Sequence, residues 1–239
     1  MKVTRLTVIP LKGLGAHHPE EITVTATGIR GDRQLFLVDD SDRLFSCTRT
    51  GAFYGLRADY DVEGRRLRVG DEEGPIELGA PLTASFIGSR KVSAREVIGP
   101  WSEMFSRLAE RPLRLAFADE PNGGCDEYPL TVLGVASTEE LARRSGMSTM
   151  DGRRFRMSIE FDGAAPHAED AWKDVGIGDV VVRVRGPVPR CAATTRHPDR
   201  GDADLKTLHL LKAARDNTLF GVYAEVVTPG TIRLGDPLR

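Results

Sequence analysis

The sequence predicts a β-rich α+β fold organised around a barrel, and three observations predict it. Short apolar or alternating runs recur along most of the chain, and turn residues interrupt them at close spacing. Helical periodicity is confined to three stretches, which do not alternate with strands as βαβ units would require. At 239 residues, 40% hydrophobic and 28% charged, the chain has material for one large β-rich domain or two small ones.

Residues 3–11 alternate, with Val3, Leu6, Val8 and Leu11 among Thr4, Arg5 and Thr7, and read as a first strand ending at Pro10-Leu11-Lys12-Gly13. Residues 22–25 read as a second. Gly28-Ile29-Arg30-Gly31-Asp32-Arg33 is then a tight turn that aims guanidinium groups, with Asp32 placed to hold either Arg30 or Arg33. A buried strand follows at 35–38. Asp39-Asp40-Ser41-Asp42 turns the chain, and residues 44–48 return as a hairpin partner with Cys47 in the core. Thr48-Arg49-Thr50-Gly51 closes it. Further strands are expected at 56–60, 66–69, 76–78 and 82–86. Behind Pro100, the spacing of Trp101, Met104, Phe105 and Leu108 predicts an amphipathic helix that packs into the core.

A strand at 113–117 leads into a polar loop at 119–129 that carries Cys125, Asp126, Glu127 and Tyr128; loops of this length often carry function. After a strand at 130–135, Ser137-Thr138-Glu139-Glu140 has the form of a capping box opening a helix that ends near Gly146. Residues 151–159 read as the start of a strand whose alternation puts Arg154, Arg156 and Ser158 on one face, an anion-site candidate. Gly176-Ile177-Gly178-Asp179 turns into a β-branched strand at 180–184. A helix at 205–215 and strands at 220–227 and 231–234 complete the chain.

Composition excludes several function classes. The net charge of −2 gives no global case for nucleic acid or an anionic membrane. No apolar run approaches the roughly 18 residues of a membrane helix, and the first residues carry charges where a signal peptide has its apolar core. A soluble, cytoplasmic chain without nucleic-acid or membrane partners is expected. Cys47, Cys125 and Cys191 are three, far apart and without Cys-x-x-Cys, which argues against a disulfide framework, a tetrahedral zinc site and an internal iron–sulfur cluster.

The stretch richest in chemistry is Gly186-Pro187-Val188-Pro189-Arg190-Cys191-Ala192-Ala193-Thr194-Thr195-Arg196. Two prolines one residue apart should end the preceding strand in a stiff loop. That loop presents a thiol between Arg190 and Arg196, cations that favour the thiolate, the form that attacks or binds metal. An inert, half-buried cysteine at a strand end is the plain alternative. Lys12, at a strand end beside Gly13, is a weaker anion-contact candidate.

The C-terminal half resembles the MOSC domain, named for the C-terminal domain of molybdenum cofactor sulfurase. The residues that carry the resemblance are Arg154-Phe155-Arg156-Met157-Ser158-Ile159, Ala168-Glu169-Asp170-Ala171-Trp172, Ile177-Gly178-Asp179-Val180 and Pro189-Arg190-Cys191-Ala192-Ala193-Thr194-Thr195. Phe220-Gly221-Val222-Tyr223 and Pro229-Gly230-Thr231-Ile232-Arg233-Leu234-Gly235-Asp236-Pro237 continue it. Pro10-Leu11-Lys12 and Gly31-Asp32-Arg33 resemble the β-barrel region that precedes this domain in the family. The resemblance implies a MOSC-type β-barrel with a smaller N-terminal β-barrel region and a few inserted helices, divided as 1–118 and 119–239.

The branch most similar is that of the mitochondrial amidoxime-reducing component and its bacterial counterparts. It implies the molybdenum cofactor (molybdopterin with molybdenum), Cys191 as the metal ligand, and Asp126 as proton donor or orienter. Cofactor contacts are implied for Lys12, Gly13, Arg33, Thr48 and Arg49, for Glu127 and Tyr128, and for Arg156, Ser158, Pro189 and Arg190. The implied activity is reduction of small N-hydroxylated or N-oxygenated compounds by a monomer. A separate ferredoxin-, flavodoxin- or cytochrome b5-like protein would supply electrons. The resemblance also admits a sulfurtransferase with a Cys191 persulfide, or a cofactor-binding protein without turnover. Three segments depart from the family pattern: Met157-Ser158 stands where Pro-Asn is usual, Gly13 where serine is common, and Asp126-Glu127-Tyr128-Pro129 where small hydroxyl residues prevail.

Overall fold

The computed structural model describes residues 1–46 and 48–239, so the expectation for Cys47 lies outside the described residues. The first strand is β1 (Lys2–Leu6), shorter than expected because the chain changes sheets after it. Thr7 N bonds Ser158 O, whereas Lys12 N bonds Leu35 O. β2 (Glu21–Thr25) and β3 (Gly28–Ile29) form a hairpin. β4 (Leu35–Val38) is buried at every position, since one face packs on Leu115, Trp101 and Phe105 and the other on Ala94 and Ala116. A continuous apolar run is what such two-sided burial selects.

β5 (Ala58–Asp61), β6 (Arg66–Val69) and β7 (Glu72–Pro75) form a meander. β8 (Glu77–Ser85) is one strand where two were expected, with Pro81 at a register shift, a position a strand proline tolerates. It pairs with β9 (Lys91–Ile98), in which buried Val92, Ala94 and Val97 stand among charged residues. α1 (Trp101–Ala109) and β10 (Arg114–Ala118) follow the expected spans closely. β11 (Leu130–Gly134) leads directly into α2 (Val135–Arg144).

The capping-box reading does not hold. The N-cap is Gly134, three residues earlier, and the buried Ser137 hydroxyl donates to Glu169 Oε1 at 2.8 Å while Glu140 pairs with Arg143 and Arg144. The strand expected from 151 also starts late. Asp151 accepts from Arg153 N and bends Gly152–Phe155 into a 3-10 turn, the local competition such side chains offer. β12 (Ile159–Asp162) begins only after it. β13 (Asp174–Ile177) and β14 (Val180–Pro189) form a hairpin. β14 runs past the expected stop at Gly186, because beyond Val184 its registered pairing is with one neighbour alone, and prolines fit a free edge. α3 (Thr207–Arg215), β15 (Leu219–Thr228) and β16 (Gly230–Arg233) complete the fold. Residues 44–46 form a bridge, Val38 to Leu44, rather than a full hairpin strand.

The architecture is the expected β-rich α+β class. Six strands in the order β1-β12-β11-β15-β14-β13 make the main sheet, and β4-β10-β9-β8 a second. The main sheet curls until its two edges reach the same segment. Val3 exchanges hydrogen bonds with Gly235 and Asp236, and Arg239 exchanges two with Gly176. Residues 235–239 therefore close the barrel, around Val3, Val132, Ile177, Val222 and Leu238. β1 and the β2–β3 hairpin, from the first 118 residues, pair with β12 and β16 from the rest. This interleaving fixes the N-terminal region against the mouth of the barrel.

Candidate functional site

Cys191 stands two residues past the end of β14, and its carbonyl accepts from Thr194 N (3.1 Å) and Thr194 Oγ1 (3.0 Å). The same Thr194 hydroxyl meets Thr207 Oγ1 of α3 at 2.9 Å, which pins the short turn of residues 192–195. From the N-terminal region, Tyr54 Oη donates to Ala193 O at 3.1 Å. The cysteine itself is exposed and lines a cavity between the barrel and the N-terminal region. Its backbone is fixed and its sulfur open.

Arg190 is held under this turn. Its guanidinium donates to Phe155 O and to Met157 Sδ (3.3 Å) and lies 5.4 Å from the Phe155 ring centre. Its buried Nε has no partner among the described residues, and no carboxylate lies within ion-pair distance there. Burial pushes its pKa down to about 10, only partly opposed by Cys191, Tyr223 and Asp126. Arg196, the other expected cation, turns away to the carbonyls of Gly201 (2.8 Å) and Thr48 (3.2 Å).

Arg33 and Arg156 meet on another wall, where Arg33 Nη2 donates to Arg156 O at 3.3 Å. Both have left-handed backbones, φ 47° and 53°, a conformation that costs an L-residue on the order of 1 kcal/mol and persists where surrounding structure enforces it. Asp32 pairs with Arg33 and also accepts from Ile9 N at 2.6 Å, which resolves the choice between Arg30 and Arg33. Arg30 instead pairs with Glu63 at the surface. Burial opposes the Arg33 charge, but Asp32 outweighs it and raises the pKa. Arg156 donates to Leu14 O (2.6 Å) and stacks 5.3 Å from the Tyr54 ring centre, again with no carboxylate in ion-pair reach among the described residues.

Lys12 Nζ and Asp126 Oδ1 lie 2.7 Å apart across the cavity. Partial enclosure by the cavity pushes the Asp126 carboxyl upward, but Lys12, Arg33 and Arg190 together hold it below the usual carboxylate range. Although its side chain is 68% exposed, these cations keep it ionised at neutral pH. Gly13 follows Lys12 at φ 101°, which favours glycine over the serine the resemblance led one to expect. Tyr128 and Tyr223 line the cavity with ring centres 5.6 Å apart, and burial pushes the Tyr223 hydroxyl up to about 12. Ser158 is buried, its hydroxyl 3.2 Å from Thr131 Oγ1. Cys125 also lines the cavity, yet burial pushes its thiol up to about 12, so it stays protonated at neutral pH.

The structure thus brings together Lys12, Gly13, Arg33, Asp126, Tyr128, Arg156, Ser158, Pro189, Arg190 and Cys191. Thr48, Arg49 and Glu127 are not among the lining residues: Thr48 gives its carbonyl to Arg196, and Arg49 and Glu127 are exposed. Arg154 lines the cavity but is paired with Asp204 at 2.7 Å. Sequence reasoning missed Tyr223, Thr131 and the clamp made by Arg90 on the 123–126 loop. Tyr223 lay in a recognised motif; nothing in the sequence marked the other two. No cluster of three His, Cys, Asp or Glu side chains that could hold a metal occurs among the described residues. A metal here would rest on the Cys191 sulfur and on donors of its own ligand.

Comparison with known proteins gives a consistent set of relatives. The model of the MOSC domain matches residues 119–239. Mitochondrial amidoxime-reducing component 1 of Mus musculus is 37% identical over 125 residues, 47% of this chain and 36% of the relative. Molybdenum cofactor sulfurase of Caenorhabditis elegans is 24% identical over 233 residues, 92% of this chain and 33% of the relative. The chain therefore spans about a third of the length of the curated relatives it matches. Among solved structures, the YUAD protein from Bacillus subtilis aligns with a TM-score of 0.48 at 13% identity, covering 99% of this chain and 93% of the other.

Proposed function

This chain belongs to the MOSC domain family, and from that premise we propose that it binds the molybdenum cofactor through Cys191 and reduces N-hydroxylated compounds to amines. The observation that carries the reading is a fixed, exposed cysteine in a cavity where, among the described residues, Arg190 and Arg156 lack carboxylate partners and one buried Arg190 nitrogen lacks any partner. A thiolate is a soft metal ligand, and unpaired guanidiniums call for an anion such as a phosphate. The residues present fit the group. Cys191 Sγ would hold the metal, with Arg190, Arg156, Arg33 and Lys12 on its anionic parts. We take residues 1–118 as the region that supplies Lys12 and Arg33, with β1 lent to the barrel of 119–239.

The overall reaction breaks one N–O bond, consumes two electrons and two protons, and yields an amine and water. When bound, the cofactor supplies the two-electron chemistry. The chain supplies positions and protons. Lys12 Nζ holds a proton toward Asp126 Oδ1 at 2.7 Å, and the ionised Asp126 orients that ammonium rather than donating. Tyr223 keeps its hydroxyl proton, since its pKa lies well above neutrality. The three cysteines lie far apart and form no four-cysteine cluster motif, and the reading takes its electrons from a separate protein.

Metal and pterin analysis of protein made in a host that synthesises the cofactor tests this reading. About one molybdenum per chain, lost in Cys191→Ala, is expected, with turnover of hydroxylamines by an artificial donor. A Cys191→Ser variant that kept both metal and turnover would end it. One observation favours a second reading: the relative that covers 92% of this chain is a molybdenum cofactor sulfurase. In that case Cys191 carries a persulfide, and cyanide-labile sulfur, absent from Cys191→Ala, replaces the metal in the same preparation.

A further inference from the structure

One wall of the cavity comes from outside the family motifs, at the tip of the β8–β9 hairpin. Phe86 and Arg90 bracket the tip: Phe86 N bonds Arg90 O at 2.8 Å, and the Arg90 guanidinium lies 5.2 Å from the Phe86 ring centre. Phe86 is buried edge-on against Phe36, with centroids 5.0 Å apart at 86°. The Arg90 guanidinium then reaches to the carbonyls of Gly123 (2.7 Å), Cys125 and Asp126 (2.9 Å). Residues 126–128 make no main-chain to main-chain hydrogen bond among the described residues. Arg90 is therefore what joins the hairpin tip and the Asp126 segment into one body.

Between these fixed ends stands Ile87. It is 77% exposed and lines the cavity, the one large apolar side chain among the described residues that does both. Lys12 Nζ lies 5.9 Å from the Phe86 ring centre, so the hairpin tip stands beside the Lys12–Asp126 pair, and the same lining includes the tilted Tyr128–Tyr223 pair and Val188. Ile87 therefore offers an exposed apolar contact next to the charged pair. An isoleucine left in water at a site entrance gains about 25 cal/mol for each Å2 that a ligand covers.

We propose that Ile87 is a specificity residue that contacts an aromatic or branched apolar substituent of the substrate, with Arg90 as the positioning residue that keeps this contact in register with Lys12 and Asp126. The proposal rests on the reductase reading for the reactive end of the substrate. It deepens that reading by naming the other end: an apolar group, so that a bulky N-hydroxylated compound is preferred over a small one with the same reactive group.

Benzamidoxime and acetamidoxime share the reactive group and differ in that substituent. In the full chain labelled at isoleucine methyls, with the Ile87 signal assigned through Ile87→Leu, benzamidoxime should shift the Ile87 signal saturably and acetamidoxime should not. In the loaded enzyme, Ile87→Ser should lower the ratio of kcat/KM for benzamidoxime over acetamidoxime by about five- to tenfold, and Arg90→Ala should lower the same ratio. An Ile87 methyl that ignores benzamidoxime overturns the proposal, and so does turnover with an unchanged ratio in Ile87→Ser. A chain that shifts the methyl but reduces neither compound contradicts the reductase reading and leaves the contact standing.

Discussion

Replacing Arg190 with methionine should stabilise the cofactor-free chain and weaken its affinity for anions, two effects of opposite sign from one side chain. Burial lowers the Arg190 pKa from the ordinary guanidinium range to about 10, which at about 1.36 kcal/mol per tenfold is a penalty of about 3 kcal/mol for keeping the charge in the fold. A base with a depressed pKa carries that penalty at every pH below its folded value, and loses it only as pH rises through about 10. Methionine keeps the packing of the stem but gives up the bonds to Phe155 O and Met157 Sδ, worth about 1 kcal/mol each. The net gain is about 1 kcal/mol, or a Tm rise of about 2–4 °C for a chain of this length. Pyrophosphate, titrated by thermal shift, should stabilise the native chain and bind the variant up to about 100-fold more weakly, the equivalent of that 3 kcal/mol. A variant whose Tm fell by more than about 5 °C while pyrophosphate still stabilised it would show that Arg190 is a structural strut, and the charge argument would fail.

Other predictions concern the frame around the site. Leu238 is buried in the barrel interior, and Leu238→Ala should cost about 2–3 kcal/mol in urea denaturation; a loss under about 0.5 kcal/mol would mean the barrel does not depend on that segment. Burial raises the Glu169 carboxyl pKa against partial relief from Ser137 and Gly134, and one of its oxygens has no partner among the described residues. The resulting penalty exists above the raised pKa and vanishes as pH falls through it, so the gain of about 1 kcal/mol that Glu169→Gln should show at about pH 8 should shrink steadily as the pH is lowered into the acid range. A gain that did not change with pH would refute ionisation as the cause. A Cβ on Gly51 would overlap the Gly201 carbonyl, so Gly51→Ala should push the two loops beside the Cys191 turn apart, at a cost of about 1–3 kcal/mol. Wild-type Tm and unchanged limited proteolysis of residues 196–204 would count against that contact.

The sequence was most informative where chemistry and local geometry coincide. Pro189-Arg190-Cys191 announced a rigid thiol, and the two prolines do confine it, although on a free strand edge rather than in a loop. Arg156 and Ser158 were chosen by strand alternation and do line the cavity, but through a 3-10 turn and a left-handed arginine that alternation cannot foresee. Lys12 and Arg33 reach the site because two sheets exchange strands near them, a tertiary fact with only weak local marks. Arg90 was invisible, since it acts on backbone carbonyls more than thirty residues away and side-chain to backbone bonds leave no pattern in a sequence. Thr48, Arg49 and Glu127 remain apart from the lining because their segment positions, not their types, decide where they point.

The segment at residues 235–239 also sets an order on folding. It joins Val3 to Gly235, and bringing points about 230 residues apart together costs about 5 kcal/mol of loop-closure entropy if nothing intermediate has formed. The seam is therefore the contact that waits for all others, and topology of this kind slows folding. Until it shuts, β1 has one partner and β13 shows an unpaired edge, the sort of strand that recruits neighbours. A chain cut to the 119–239 span would meet this exposure permanently, because the strand that covers β12 belongs to the other end.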